Sequence, residues 1–188
     1  MNTFSTEKLL GNHKVIAAAQ NLHTFHQALR AQNSDCILLK FGDLQTLPLY
    51  VKEAHSHGKS IMVYLDSLNG IARDSSGMAY LASLGIEAAA TTKPQLLGVI
   101  RRAGLFAVQS MFVIDSTALA LGIASLQKHQ VELAIVMPGC VPIEVFSEIR
   151  EQTHAKLLAG GLVRNDRDLR NALAKGAEAV ITGSAELW

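Results

Sequence analysis

Eight short apolar runs, separated by stretches of helical character, constrain this chain more than any other feature. They are Val15–Ala19, Cys36–Leu39, Ile61–Leu65, Ala88–Ala90, Phe106–Val108, Leu133–Met137, Leu157–Ala159 and Ala179–Ile181. Each run is continuous rather than alternating, the mark of a strand covered on both faces, and hence of a parallel sheet with crossover helices. Their number and spacing predict one α/β domain over residues 1–188, a TIM-like (β/α)8 barrel. Eight units leave about 23 residues each, below the ~250-residue total usual for such barrels, so the helices must be short. Only Thr182 to Trp188 follow the last run, too few for a full eighth helix. That flank is expected to be covered by the N-terminal segment or by Trp188. A doubly wound open sheet is the competing fold, and it requires one or two of the runs not to be strands.

Boundary residues fit the alternation. Asp43 suits the cap of a helix ending near Gly58, and Ser116, with Asp115 before it, suits one running to about His129. Pro142 fits a first helical turn, Asn165 with Asp166 opens another helix, and Gly176 after Lys175 reads as a C-terminal stop.

Composition excludes several classes. Apolar residues make up 49% and charged residues 18%, so the chain is not of the disordered type. Seventeen Lys and Arg against sixteen Asp and Glu give a net charge of +1, so any nucleic-acid contact must be a local patch. Cys36 and Cys140 are the only cysteines, without CxxC spacing, which suits a reducing compartment. Glu7 and Lys8 interrupt any signal-peptide core in Met1 to Lys14, so a cytoplasmic protein is expected. From Ala103 to Gln127 the only Asp, Glu, Lys or Arg is Asp115. Gln109, Ser110 and Ser116 in that run favour a buried strand and helix over a membrane span.

In a parallel barrel the working face is the C-terminal end of the strands. The residues there are Lys40, Asp66, Thr91 to Lys93, Gln109, Pro138-Gly139, Gly160-Gly161 and Gly183-Ser184. Lys59 and Lys156 stand at strand beginnings and read as solvated charges of the opposite rim. Gly160-Gly161 and Gly183-Ser184 leave the last two strands, where such barrels hold phosphate on exposed backbone N–H groups. The same glycines fit tight turns with no ligand. Arg164 adds a guanidinium to this corner or is an exposed helix-start residue. Asp66, before the Asn69-Gly70 turn, accepts hydrogen bonds from substrate hydroxyls, acts as a base, or simply caps a turn. Lys93 sits where a helix should begin, a place where a cation gains nothing from the dipole, and so points to an anionic partner.

No nucleophile elbow, Walker loop or GxGxxG occurs, and Cys140 has no identifiable base beside it. His55 and His57 are two apart and share no helical face, so no metal site is assigned. Neither a catalytic residue nor a cofactor is assigned.

Taken in order, several motifs resemble the glycerol-3-phosphate-responsive antiterminator family, regulators of glycerol-utilisation operons. They are Val63-Tyr64-Leu65-Asp66 through Gly70-Ile71, Thr91-Thr92-Lys93, Gln109 through Phe112 to Asp115-Ser116, and Met137-Pro138-Gly139 with Pro142. The C-terminal block is the nearest match: Ala159 to Arg164, then Asp168, Ala172, Gly176-Ala177 and Leu187-Trp188. The resemblance runs from about Val15 to Trp188. It implies a TIM-like barrel without catalysis, glycerol 3-phosphate or a related small phosphorylated ligand, and binding to leader mRNA that prevents premature termination. By position, the phosphate falls to Gly160, Gly161, Gly183 and Ser184, and the glycerol hydroxyls to Asp66.

The chain also departs from that family, whose members usually carry a basic residue at the position of Gln20, an arginine at Ser110 and a glutamate at Ile135. If that arginine contacts an anion, its loss removes a charge-assisted bond of ~1.5–3 kcal/mol, or about one to two decades of affinity. Lys40 or Lys93 is placed to compensate.

Two functional classes follow. A ligand-switched RNA-binding regulator needs a basic surface, for which Arg101-Arg102, or Arg164, Arg167 and Arg170, are the available clusters. An enzyme on a small phosphorylated substrate, of lyase, isomerase or aldolase type, would use Asp66, Lys93 and Lys40. No membrane partner is expected, and a homo-oligomer stays open.

Overall fold

The computed structural model describes residues 5–188; the first four residues of the expected domain lie outside the described residues. All eight apolar runs form strands: β1 (Val15–Ala19), β2 (Cys36–Leu39), β3 (Ser60–Tyr64), β4 (Ala88–Thr91), β5 (Phe106–Phe112), β6 (Leu133–Met137), β7 (Lys156–Gly160) and β8 (Ala179–Thr182). Every neighbouring pair is parallel, and β1 pairs with β8 through Val15 to Val180 and Ile16 to Ile181, closing the sheet into a barrel. The fold is the TIM-type (β/α)8 barrel, and the open-sheet alternative is excluded by that closure.

Successive residues of a strand point to opposite faces, which sorts each buried run into two sets. Ile16, Ala18, Cys36, Leu38, Met62 and Phe106 are among those filling the interior. Ala17, Ala19, Ile37, Leu39 and Val63 pack outward beneath the helices. Burial on both faces is why the runs are continuous in sequence.

The helices are α1 (Thr6–Leu10), α2 (Leu22–Leu29), α3 (Leu47–Ser56), α4 (Ser75–Ser83), α5 (Leu97–Arg102), α6 (Ser116–Lys128), α7 (Ile143–Gln152) and α8 (Asp166–Ala174). Seven of them cross between strands, and α1 precedes β1. The eighth unit ends in a single 3₁₀ turn, Ala185–Leu187, which packs against α2. Trp188 completes that flank: it is buried and its indole N–H donates to Thr182 O at 2.9 Å. The N-terminal segment does something else. Leu9 and Leu10 of α1 join the interior cluster, and Ser60 Oγ donates to Leu9 O at 3.0 Å, so α1 stoppers the end of the barrel where the strands begin.

Several expected caps shift. Asp43 does not cap α3. Its Oδ1 accepts from the N–H groups of Gln45 and Thr46, closing a turn, and α3 starts at Leu47 without a side-chain cap. Asp115, rather than Ser116, caps α6 through the Ala118 N–H. Pro142 and Asn165 stand as the N-caps of α7 and α8. The Ala103 to Gln127 stretch divides between β5 and α6, and among the described residues no helix is long and apolar enough to cross a membrane.

At the stoppered end, Lys156 bonds Glu7 of α1 and is not merely solvated. That hydrogen bond holds the Glu7 carboxyl down to about 2. Because the folded value is lowered, the pair's contribution is present above the ordinary carboxylate range and is lost as pH falls through about 2. Both side chains are exposed, so the pair adds little. Lys59 donates to Ser34 O at 2.7 Å and is part-buried.

Burial pushes the Cys36 thiol up to about 12, whereas Cys140 is exposed. A thiol titration of the native protein at pH 8 is therefore expected to detect Cys140 alone, with Cys36 reacting only after denaturation.

Candidate ligand-binding site

The ends of β7 and β8 carry the two glycine corners. Gly160 belongs to the barrel wall, where an added Cβ would lie 2.9 Å from Ile135 Cγ2. Gly161 then turns out of β7 at φ +78°, where an added Cβ would meet only Pro138 Cα at 4.0 Å, so backbone conformation rather than crowding favours glycine there. The corner is held from β6. The Gly139 N–H donates to Gly160 O at 2.7 Å and to Gly161 O at 2.9 Å, which gives the Pro138-Gly139 motif a positioning task. Thr182, at the end of β8, ties the corners together by donating to Val163 O at 2.7 Å and accepting the Ser184 N–H at 3.0 Å.

Between these corners opens a cavity of about 370 Å³, within the range of small-molecule sites. Gly160, Gly161, Arg164, Gly183 and Ser184 line it, with Gln20 and Lys40 from just beyond β1 and β2, and Tyr64 from β3. Ala18, Leu38, Ile135, Met137 and Ile181 form an aliphatic wall, continuous with the barrel interior. Lys40 and Arg164 are cationic, and no Asp or Glu is among the lining residues.

Lys40 Nζ lies 5.4 Å from the Tyr64 ring centroid, within cation–π range. Burial raises the Tyr64 phenol, the nearby Ser110 hydroxyl works in the opposite direction, and the Asp66 charge adds to the rise. The Tyr64–Ser110 approach falls short of hydrogen-bond geometry, for the buried Ser110 Oγ has no partner. Ser110 faces inward, because Phe106 and Val108 of the same strand parity fill the interior. The N-terminus of α8 is occupied by its own chain. Asn165 caps it, and Asp168 Oδ2 accepts the Arg164 N–H at 3.0 Å.

The remaining residues singled out in the sequence lie elsewhere. Asp66 is outside the cavity lining; its carboxylate accepts from Thr92 N at 2.7 Å, Thr92 Oγ1 at 2.9 Å and Thr91 Oγ1 at 3.1 Å, fastening the end of β4 to the turn after β3. Lys93 is exposed and also outside the lining. Gln109 does not end a strand: β5 runs on to Phe112, and the Gln109 amide turns outward to Ser125 of α6 at 2.9 Å. Arg101 donates to His129 O and Gln130 O, closing the C-terminus of α6. Arg101 and Arg102 end α5 before β5 begins, towards the stoppered end. Arg167 and Arg170 are exposed on α8, whose N-terminus is at the mouth.

Tyr64, Thr182 and the aliphatic wall were not assigned from sequence, and Gln20 entered only as a departure from the family pattern. The signal that finds them is strand parity: inward positions nearest the strand ends include Ala18, Leu38, Tyr64, Ser110 and Ile135. The three family departures gather here, since Gln20 and Ile135 line the cavity and Ser110 pairs with Ile135 in the β5–β6 ladder.

Fold and cavity together define a (β/α)8 barrel with a small cationic chamber at its C-terminal mouth. Residues 15–188 match the family described as glycerol-3-phosphate responsive antiterminator, and the chain belongs to that family. A glycerol uptake operon antiterminator regulatory protein from Listeria monocytogenes superposes with a TM-score of 0.87 at 26% identity, covering 95% of this chain and 96% of that one. A related antiterminator-like protein from Thermotoga maritima gives 0.83 at 26% identity, covering 94% and 98%. The uncharacterized YgcP protein of Escherichia coli K12 is 27% identical over 183 residues, 96% of this chain and 94% of that protein.

Asp66→Ala is expected to destabilise the fold by about 1–3 kcal/mol, because it leaves the Thr91 and Thr92 donors unpaired. Denaturant unfolding reads this loss.

Proposed function

We propose that this protein is a non-catalytic regulator whose mouth cavity binds glycerol 3-phosphate or a related small phosphomonoester and thereby strengthens its hold on leader mRNA in the cytoplasm. One observation carries the reading. Gly160, Gly161, Gly183 and Ser184 converge on a single cavity with Lys40 and Arg164, and no carboxylate lines it to oppose an anion. Bare glycine backbone lets a phosphate approach closely, and two cations favour its charge. Family membership supports the regulatory role.

Within this reading, the phosphate sits against the Gly161 and Gly183 corners, Arg164 and Lys40 neutralise it, and no group of the site needs to break a bond. RNA contact falls to the exposed Arg167 and Arg170. They share α8 with the loop that leaves Gly160-Gly161, so an occupied cavity and a bound RNA bias the same segment. Such linkage is reciprocal, and a coupling of ~1–3 kcal/mol amounts to about 5–150-fold.

Glycerol 3-phosphate at a hundred times its Kd is expected to stabilise the protein by about 2.7 kcal/mol and to raise its Tm without being consumed. Lys40→Ala and Arg164→Ala should each weaken it by about one to two decades. Leader RNA should bind more tightly in its presence. The slope of log affinity against log salt should shrink by about 0.7 for each of Arg167 and Arg170 replaced by alanine. Turnover of the ligand, or unchanged affinity in Gly161→Val and Gly183→Val, contradicts the proposal.

A further inference from the structure

The register of the β2–β3 ladder sets Lys40 beside Tyr64. Cys36 pairs with Ser60 and Leu39 with Val63, so one further step along both strands brings residues 40 and 64 level. Both continue the inward parity of Leu38 and Met62, which belong to the interior cluster. Neighbouring strands are about 4.8 Å apart, close enough for two such side chains to touch. The Lys40 ammonium accordingly lies over the Tyr64 ring, 5.4 Å from its centroid, and both residues line the cavity.

Other cations of this fold are held by oxygen. Lys59 and Lys175 donate to backbone carbonyls, as do Arg73 and Arg101, and Lys156 bonds the Glu7 carboxylate. Lys40 is different. Among the described residues no ion pair or hydrogen bond engages its ammonium, and no Asp or Glu lines the cavity around it. Gln20, level with Lys40 on the β1 side, has its amide nitrogen 3.5 Å from the position a Cβ on Gly183 would take. The aromatic face is what the fold offers the Lys40 ammonium.

A contact of that kind suits a residue kept for an anion. A carboxylate in the place of the ring would hold the lysine and cancel its charge, whereas the ring quadrupole attracts the cation and leaves the charge in force. Without the ring, the flexible four-carbon stem would be free at the mouth, and ordering it on binding costs affinity.

Resting on the phosphate reading of the glycine corners, we infer that Tyr64 is a positioning residue, whose ring face keeps the Lys40 ammonium inside the mouth for the phosphate. Tyr64 acts through Lys40, and its hydroxyl is not required.

Calorimetric titration of the intact chain with glycerol 3-phosphate and with inorganic phosphate, over a double-mutant cycle of Tyr64→Leu and Lys40→Met, tests this. Tyr64→Leu should weaken both anions by about threefold or more. Tyr64→Phe keeps the ring and should stay within about 1.5-fold of the unaltered protein. In the Lys40→Met background, Tyr64→Leu should add no further loss, because the interaction it removes is already gone. A circular-dichroism melt verifies folding, and Tyr64→Met takes the place of Tyr64→Leu if the leucine variant does not fold. Unchanged affinity in the ringless variant, an equal loss in Tyr64→Phe, or the same loss with and without Lys40 overturns the positioning role while leaving the phosphate site standing. Absence of binding of both anions by the unaltered protein overturns both.

Discussion

Closure of the parallel ladder between β1 and β8 is the constraint on which the rest depends. Val15 facing Val180 and Ile16 facing Ile181 leave no open edge, and they bring the first strand beside the last. Without that contact, Gln20 and Gly183 would stand on opposite margins of a sheet, and the cavity would have half a wall. Closure also sets the demand for small interior residues. Ala18, Ala88, Ala90 and Ala179 make room for Met62, Phe106 and Leu158 inside a cylinder only wide enough for side chains.

Above that packed interior, the mouth is built by the backbone. Gly139 reaches from β6 to the carbonyls of Gly160 and Gly161, and Thr182 reaches from β8 to Val163 and Ser184. The charged side chains Lys40 and Arg164 are hung on a frame that the Gly139 N–H and the Thr182 hydroxyl have already fixed. Such a frame is preorganised, so little ordering would be left for a ligand to impose.

The strands were legible because burial on both faces writes itself as continuous apolar sequence. The apolar run Phe106–Val108 stops four residues before β5 does, because Gln109 and Ser110 break it. One satisfies its amide outward on Ser125 and the other faces the interior, so both are buried and both belong to the strand. The glycine corners were legible as residue types at strand ends, whereas Tyr64 was not, since an inward aromatic one position before a turn looks like core. Asp66 and Lys93 stand outside the cavity lining: position at a strand end says which end of the barrel a residue occupies but not whether its side chain turns towards the axis. A five-residue helix such as α1 leaves too little periodicity to reveal that it seals one end.

The packed interior has a kinetic meaning. With Met62, Phe106 and Leu158 filling the cylinder beneath the chamber and Leu9 and Leu10 closing its far end, the chamber is a cul-de-sac, and a guest would leave by the doorway through which it came. Any macromolecule settling across α8 and the glycine corners would stand in that doorway and lengthen the guest's residence, so the two partners would be coupled in time as well as in affinity.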